Sequence, residues 1–415
     1  MNQLMLTIVK SIQSGMIVSA LLAPLSPIMK LNAATFGDDA AFLKQHTPLL
    51  VLSDQSGNSR VAVAPAWQGR VMTSSANGDG GASYGWINRE LISSGKLQPH
   101  INVFGGEDRF WLGPEGGQFS VFFAKGAKFD LNEWFTPAPI DTMAYRLAEQ
   151  TKASAVFKAQ FTLTNYSGTR FEVAVDRKVS VLQPATAWKQ LGVEPAKGVS
   201  LVAYESINTI KNVGREPWSK QTGLLSVWIL GMFNPSPSAT IVVPIRSGSE
   251  SQLGVKVTSD YFGPIPPDRL VVKDDVIYLK ADGQHRGKIG INPRRSKALL
   301  GSYDSAGKVL TIVQFTQPEG VTDYVNSQWK IQDNPYGGDA ANSYNDGAPS
   351  PGVKQLGPFY ELESSSPGAA LAPGKSLTHR HRTTHLSGDE SALNSVARTA
   401  LGVSLREIQN AFSKR

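Results

Sequence analysis

Apolar and polar residues alternate along the middle of the chain, and this two-residue period constrains the fold more than any other feature. Residues 156–164 place Phe157 and Phe161 on one face and polar side chains on the other, as in a half-buried β-strand. After a short turn the alternation resumes over 170–176, which predicts a β-hairpin. Further strands are predicted over 224–233, 239–245, 270–279 and 310–315. Because such alternation is typical of antiparallel sheets, the sequence predicts an all-β fold, one large antiparallel sandwich.

Two segments depart from this pattern. Residues 333–352 are polar and rich in glycine, and they predict a long loop that is either functional or mobile. Near the end of the chain, 391–401 and 405–412 are predicted to be short helices. Ser404 and Glu407 have the spacing of a capping box at the start of the second helix. We expect these helices to close one end of the sandwich.

The N-terminal segment is typical of a secretory signal peptide. Residues 16–28 are largely apolar, they follow Lys10, and small residues come next at 31–34. The apolar run is too short to span a bilayer. We therefore predict a signal peptide over 1–34 and a single domain over 35–415, located in the periplasm or secreted, with no membrane span in the mature protein. The alternative is an N-terminal tail that stays on the protein.

Composition excludes several classes of function. The 415 residues include no cysteine, which rules out disulfides, thiolate metal sites and a cysteine nucleophile. The formal charge of +7 is scattered along the chain, so it does not resemble a nucleic-acid-binding arm. Neither a nucleophile elbow, a P-loop, a dinucleotide-binding fingerprint nor a zinc-peptidase motif is present.

The densest group of polar residues lies between 100 and 118. Glu107, Asp108 and Arg109 follow a pair of glycines, Trp111 comes directly after them, and Glu115 follows among further glycines. Aromatic rings that stack on a sugar and charged groups that bind its hydroxyls are what a carbohydrate site requires. We take these five residues as candidate ligand contacts, with Glu107 and Arg109 also as candidate catalytic groups. For Asp108, an Arg–carboxylate pair that stabilises a turn is an equal alternative.

A second set of aromatic and basic residues lies just upstream. Arg70, Trp86, Asn88 and Arg89 are predicted to face the same cleft as Glu107, because consecutive antiparallel strands return their ends to one rim. A position in the hydrophobic core is an equally good interpretation of Trp86.

Two carboxylates stand two residues apart near the end of the chain. Glu361 and Glu363 share one face if their segment is a strand, and Leu362 between them is predicted to be core. Such a pair can raise the pKa of one member and provide an acid and a base. The alternative is a pair of solvated glutamates at a sheet edge.

The histidines of the following segment also share a face in an extended strand. His379 and His381 are candidate ligand contacts, and with His385 they have the spacing of a metal site. Interleaved arginines oppose a cation there, so we predict no metal. An oxygen-rich set in the 333–352 loop is an alternative candidate for Ca²⁺, although it lacks EF-hand spacing: Asp333, Asn334, Asp339, Asn342, Asn345 and Asp346.

Several long motifs resemble an uncharacterised bacterial family of exported proteins. These are VAVAPAWQGRVMTS, SYGWINRELI and HINVFGGEDRFWLGPEGGQFSVFF, and the resemblance covers roughly 35–412. Members of that family resemble galactose mutarotase-like β-supersandwich proteins. The late glutamates followed by LAPGKSLTHRHRTTH resemble the mutarotase pattern of a catalytic Glu before a Leu-x-Pro-Gly strand start. The resemblance implies that Glu361 or Glu363 is a general base, and His100 is a candidate ligand contact by position alone.

The leading hypothesis is therefore an exported enzyme that performs acid–base chemistry on a sugar or oligosaccharide, as an epimerase, lyase or hydrolase would. The alternative is a non-catalytic sugar-binding or structural protein of the cell envelope. The enzyme hypothesis predicts one cleft, in which Arg109 and either Glu361 or Glu363 lie within roughly 10 Å of each other. It also predicts that Arg70, Arg89 and Arg109 neutralise the acidic residues.

Overall fold

Three antiparallel sheets form the framework of residues 34–413, the range that the computed structural model describes. Apart from Ala34, the predicted signal peptide at 1–34 lies outside the described residues. The strands in chain order are β1 (Leu50–Ser53), β2 (Arg60–Ala64), β3 (Arg70–Ser75), β4 (Arg109–Gly113), β5 (Arg146–Gln150), β6 (Ser154–Thr164), β7 (Arg170–Val181), β8 (Val199–Asn212), β9 (Ser226–Phe233), β10 (Ala239–Pro244), β11 (Leu270–Val272), β12 (Val276–Lys280), β13 (Gly287–Ile291), β14 (Leu299–Asp304), β15 (Val309–Phe315), β16 (Ala341–Asn345), β17 (Tyr360–Ser365) and β18 (Ser376–Gly388).

The strands are shared unequally among the sheets. A ten-stranded sheet has the order β11-β12-β10-β14-β15-β18-β8-β7-β6-β5, a five-stranded sheet has the order β13-β16-β17-β9-β4, and β1-β2-β3 form the third. The predicted hairpin is β6 and β7, with Leu163 opposite Phe171 beside the turn. The all-β antiparallel prediction is thus confirmed.

Two details of the predicted strands are wrong. The segment 270–279 is not one strand, because a turn after Val272 separates β11 from β12 and lets them pair with each other. The segment 333–352 is not loop throughout, since β16 at 341–345 is a buried inner strand of the five-stranded sheet. The sequence pattern did not indicate this strand because its asparagines and serine are polar. In the structure these side chains are buried and form hydrogen bonds within the fold.

The main core lies between the ten-stranded and five-stranded sheets. Alternate residues of β17 and β9, including Leu362 and Phe233, pack against Ile241, Ile277 and Val313 of the larger sheet. The prediction that Leu362 is a core residue is confirmed, and it is fully buried. Because side chains alternate in direction along a strand, the residues on either side of Leu362 point away from this core.

Short helices complete the fold: α1 (Phe36–His46), α2 (Arg89–Ser94), α3 (Ala138–Asp141), α4 (Pro184–Leu191), α5 (Glu250–Leu253), α6 (Glu390–Leu401) and α7 (Leu405–Gln409). The capping box of Ser404 and Glu407 is present. The expectation that the C-terminal helices close one end of the sandwich is wrong. They cover the outer face of the ten-stranded sheet, where Leu393, Val396 and Ile408 bury apolar surface against its strands. No helix in the described range has the length and apolar character needed to cross a bilayer.

Candidate functional site

The outward face of the five-stranded sheet carries a row of charged and aromatic residues. Strand β9 lies between β4 and β17, with Leu230 opposite Arg109 of β4 and opposite Glu363 of β17. Two residues further along β9, on the same face, Met232 lies opposite Glu361 of β17. Directly paired residues project from the same face of a sheet, so all of these side chains point away from the core.

Loops rise around this face and enclose a cavity of about 230 Å³, which we call the main cavity. Its walls are mostly aromatic, formed by Trp111, Trp134, Trp228, Phe262, Trp329, Tyr344 and Phe359. Its charged lining residues are Arg109, Glu115, Arg286, Lys288, Lys354 and Glu361. An apolar pocket with a few convergent polar groups is the usual form of a small-molecule site.

Arg109 and Glu361 form an ion pair in the floor of the main cavity. A guanidinium nitrogen of Arg109 donates to a carboxylate oxygen of Glu361. Both side chains are more than nine-tenths buried, and the guanidinium also lies 4.9 Å from the ring centre of Trp111. Burial raises the pKa of Glu361 to about 8, although Arg109 opposes the rise. A carboxyl group in this state can both donate and accept a proton near neutral pH.

A second ion pair lies beside the first. Lys288 Nζ is 3.1 Å from Glu363 Oε2, and Trp228 Nε1 donates to the same oxygen at 2.9 Å. Burial acts to lower the pKa of Lys288, but the carboxylates of Glu363, Glu115 and Glu361 together outweigh it and raise this pKa. Glu363 Oε1 is buried without a hydrogen-bond partner among residues 34–413. Sequence reasoning missed Lys288; its signal is a single charged residue within the short apolar strand β13.

Further polar groups on the cavity wall are available to a ligand. Burial raises the pKa of Glu115, although Lys288 opposes the rise. The Arg286 guanidinium lies 3.7 Å from the ring centre of Phe262. The indole N–H groups of Trp111, Trp134 and Trp329 have no hydrogen-bond partner within the described range. Buried donors of this kind are unfavourable unless a ligand or water satisfies them.

The two acids that precede Arg109 do not reach the cavity. Glu107 is fully buried between the sheets, where Ser74 donates to it and His385 Nε2 lies 3.1 Å away. Asp108 forms an ion pair with Arg177 at 2.6 Å, and both side chains are fully buried. The prediction that Glu107 and Asp108 are ligand contacts is wrong. Asp108 does form the Arg–carboxylate pair of the alternative, but this pair links two sheets instead of stabilising a turn. The alternation of β4 sends only Arg109 and Trp111 of this motif outward.

The upstream arginines are also placed differently from the prediction. Arg70 is buried and donates to the carbonyl oxygen of Gly105 at 3.1 Å. Arg89 forms an ion pair with Asp39 of α1. They therefore do not neutralise the acids of the cleft, and Arg70 and Arg89 are not lining residues of the main cavity. Trp86 packs on Phe359 behind the cavity wall, so its core interpretation is correct.

The glycines before Glu107 serve the fold rather than a ligand. Gly105 has a φ of +94°, and a Cβ atom there would lie 2.1 Å from the carbonyl oxygen of Trp86. This close approach brings two segments of the same chain together.

The late histidines lie on the inner face of the ten-stranded sheet. The Ser364 hydroxyl is 2.8 Å from His379 Nε2 and 2.8 Å from His381 Nδ1. Burial lowers the pKa of His379 to about 3 and that of His381 to about 4, so both are neutral. The prediction that they contact a ligand is wrong, because β18 turns their shared face toward the core. Within residues 34–413 no three His, Asp or Glu side chains are arranged to hold a metal ion.

The oxygen-rich set proposed for Ca²⁺ is divided among separate partners. Asp339 accepts a hydrogen bond from Tyr261, Asp346 accepts one from Tyr344, and Asn345 donates to the carbonyl oxygen of His285. The remaining two candidates, Asn88 and His100, line a separate cavity beside the main one.

The fold and the site together define an antiparallel β-sandwich protein with a cavity on one sheet that is lined by aromatic and charged residues. Residues 34–412 match the model of a family of unknown function, DUF6786, and the chain belongs to that family. The predicted family resemblance is thereby confirmed. No curated protein sequence matches the chain significantly.

The chain is similar to several solved structures at low sequence identity. A candidate aldose 1-epimerase from Escherichia coli K12 is 11% identical, with a TM-score of 0.48, over 82% of this chain and 99% of that one. The Slr1438 protein from Synechocystis sp. PCC 6803 is 13% identical, with a TM-score of 0.47, over 83% and 96%. A galactose mutarotase-like protein from Lactobacillus casei is 10% identical, with a TM-score of 0.43, over 81% and 100%.

Proposed function

We propose that the main cavity binds a small carbohydrate and catalyses proton transfer at its anomeric centre. The observation that carries this proposal is the buried Arg109–Glu361 ion pair in the floor of an aromatic cavity. Aromatic walls suit the apolar face of a pyranose, while carboxylates, a lysine and arginines suit its hydroxyls. The volume of about 230 Å³ lies below the roughly 300–1,000 Å³ of drug-sized ligand pockets, which favours a single sugar ring.

The reaction that fits these groups is opening and closing of an aldose ring. One group takes the proton of the anomeric hydroxyl, the bond between the anomeric carbon and the ring oxygen breaks, and a second group gives a proton to the ring oxygen. Glu361 is one proton-transfer group, because its pKa of about 8 is near the working pH. Glu115 is the second, since it lines the same cavity and burial raises its pKa as well.

The other charged residues act by electrostatics and position. Arginine keeps its proton, so Arg109 stabilises negative charge on a sugar oxygen rather than transferring a proton. Lys288 forms an ion pair with Glu363 and also lines the cavity, where its ammonium group donates to a sugar hydroxyl. The alternative function, sugar binding without catalysis, uses the same contacts but does not require a carboxyl group of raised pKa.

The test combines a binding and a turnover measurement on the same protein. Tryptophan fluorescence monitors binding, because Trp111, Trp134, Trp228 and Trp329 line the cavity. Proton NMR exchange spectroscopy monitors interconversion of the anomers of D-glucose, D-galactose, D-mannose and D-glucuronate. Each measurement is repeated on E361Q and on E319Q, a matched control because Glu319 is exposed and does not line the cavity.

The proposal expects at least one of these sugars to bind and its anomers to exchange faster than in buffer. The acceleration should fall about 100-fold or more in E361Q and stay unchanged in E319Q. Binding without accelerated exchange would instead support the non-catalytic alternative. If no sugar of the panel binds, the carbohydrate proposal is wrong.

A further inference from the structure

A second cavity of about 470 Å³ lies directly beside the main one, and we call it the side cavity. Its polar lining includes Asn88, Gln98 and His100. Three residues, Ile101, Lys354 and Leu356, line both cavities, so these residues form the wall between them. The side cavity plays no part in the reaction described above.

The side cavity offers hydrogen-bonding groups that the protein itself leaves unused. Asn88 Oδ1 caps α2 by accepting from the Leu91 N–H, whereas Asn88 Nδ2 has no partner within the described residues. His100 Nδ1 lies 2.7 Å from the carbonyl oxygen of Trp134, so it carries the proton and leaves Nε2 as an acceptor. The side-chain amide of Gln98 forms no hydrogen bond among residues 34–413. The residues that carry these donors and this acceptor all line the side cavity.

The wall between the cavities is weakly held. Residues 347–356 form a strap whose base is closed by the Gly357 N–H, which donates to Asp346 Oδ2 at 2.8 Å. Near its C-terminal end, Lys354 Nζ lies 3.7 Å from Glu90 Oε2, with both side chains more than four-fifths exposed, and Gln355 Nε2 donates to the carbonyl oxygen of Gly283 at 3.4 Å. An exposed ion pair of this length contributes little to stability. A ligand that passes under the strap therefore breaks only weak interactions between the strap and the rest of the protein.

We propose that the two cavities form one extended site, and that the side cavity holds the second sugar unit of an oligosaccharide. This inference rests on the proposed function, in which the main cavity holds the reducing-end sugar. A second pyranose carries several hydroxyls, and Asn88, Gln98 and His100 supply donors and an acceptor for them. Lys354 and Leu356 of the strap line both cavities, so the bond that joins the two sugars lies beside them.

The experiment compares monosaccharides with disaccharides on the full-length protein. Dissociation constants for D-glucose, D-galactose, maltose, cellobiose and lactose are measured by isothermal titration calorimetry. They are measured again on Q98A and H100Q, with E319Q as the control, and thermal unfolding verifies that each variant is folded. The Q98A variant keeps the test valid if H100Q does not fold. Gln98 is exposed, so its substitution should not affect folding, whereas His100 packs on Phe135.

We expect at least one disaccharide to bind about tenfold or more tightly than its component monosaccharides, which corresponds to about 1.4 kcal/mol. This gain should shrink in Q98A and H100Q, while monosaccharide affinity stays the same. If monosaccharides bind but no disaccharide binds more tightly, or if the gain survives both substitutions, the extended site is wrong and the proposed function stands. If none of the five sugars binds, the extended site is wrong, and if D-mannose and D-glucuronate also fail to bind, the proposed function is wrong as well.

Discussion

Arg109 donates a hydrogen bond to Glu361 across 252 positions of sequence. Their strands, β4 and β17, are not neighbours, because β9 lies between them. Two strand spacings amount to about 10 Å, a distance that two long side chains on the same face can bridge. The pair therefore exists only when three strands from distant parts of the chain assemble in the right register.

Substitution of Arg109 by an uncharged residue should raise the pKa of Glu361. Burial raises the pKa of Glu361 to about 8, and Arg109 is the strongest influence in the opposite direction. We expect R109M to raise this pKa further, because an opposite charge favours the ionised carboxylate. Infrared titration of the carboxylic acid band, with E361Q as the reference, measures the shift. The control R170M alters an exposed arginine and should leave the titration unchanged; an unchanged titration in R109M would contradict the ion pair.

The raised pKa of Glu361 also predicts how stability changes with pH. The folded protein holds this proton more tightly than the unfolded chain, whose glutamate has a pKa near 4.5. The contribution to stability is therefore full below about pH 4.5 and is lost as the pH rises through about 8. The free energy of unfolding of the wild type, relative to E361Q, should fall across that window in urea titrations. A difference that stays constant with pH would show that Glu361 titrates normally.

Asp108, although next to Arg109, should affect stability and not ligand binding. D108N leaves the buried Arg177 without its carboxylate, and breaking such a pair costs about 3–5 kcal/mol. D176N breaks the half-exposed pair with Lys158 on the same sheet and should cost less than about 1 kcal/mol. Urea unfolding measures both values. Similar losses in the two variants would contradict the assigned role of Asp108.

For export, the testable outcome is the N-terminus of the native protein. We propose that the protein is exported and cleaved near Ala33 or Ala34, on the sequence evidence of an apolar run followed by small residues. Mass spectrometry of protein from a cell-envelope fraction should find Thr35 close to the N-terminus. Substitution of Leu21 by Arg within the apolar run should block cleavage, whereas the same substitution at Gln13 should not. An intact Met1 on cytoplasmic protein would disprove the proposal.

Alternation of residue types predicted the strands well because it depends only on near neighbours. The hairpin of β6 and β7 and the core position of Leu362 follow directly from the two-residue period. Strand β16 escaped prediction because its polar residues are satisfied by hydrogen bonds to other parts of the fold. The β-strand propensity of a residue does not include the effect of such long-range partners.

The candidate site was predicted only in part, for a related reason. Trp111, Arg109 and Glu361 were identified by residue type and do lie together, whereas Glu107 and His379 have the same chemistry and are buried on other faces. A motif shows which side chains have the chemistry to bind a ligand or transfer a proton. The register of the strand decides which face of the sheet each of them occupies.

Local pattern was therefore sufficient to specify an all-β chain, its hairpin and part of the charged and aromatic lining of the main cavity. The tertiary structure alone decided that Arg109 would pair with Glu361, that Arg177 would neutralise Asp108, and that Lys288 would join the site. The physical reason is that burial and charge pairing depend on strands far apart in the chain, and one residue of register exchanges the inside of a sheet for its outside.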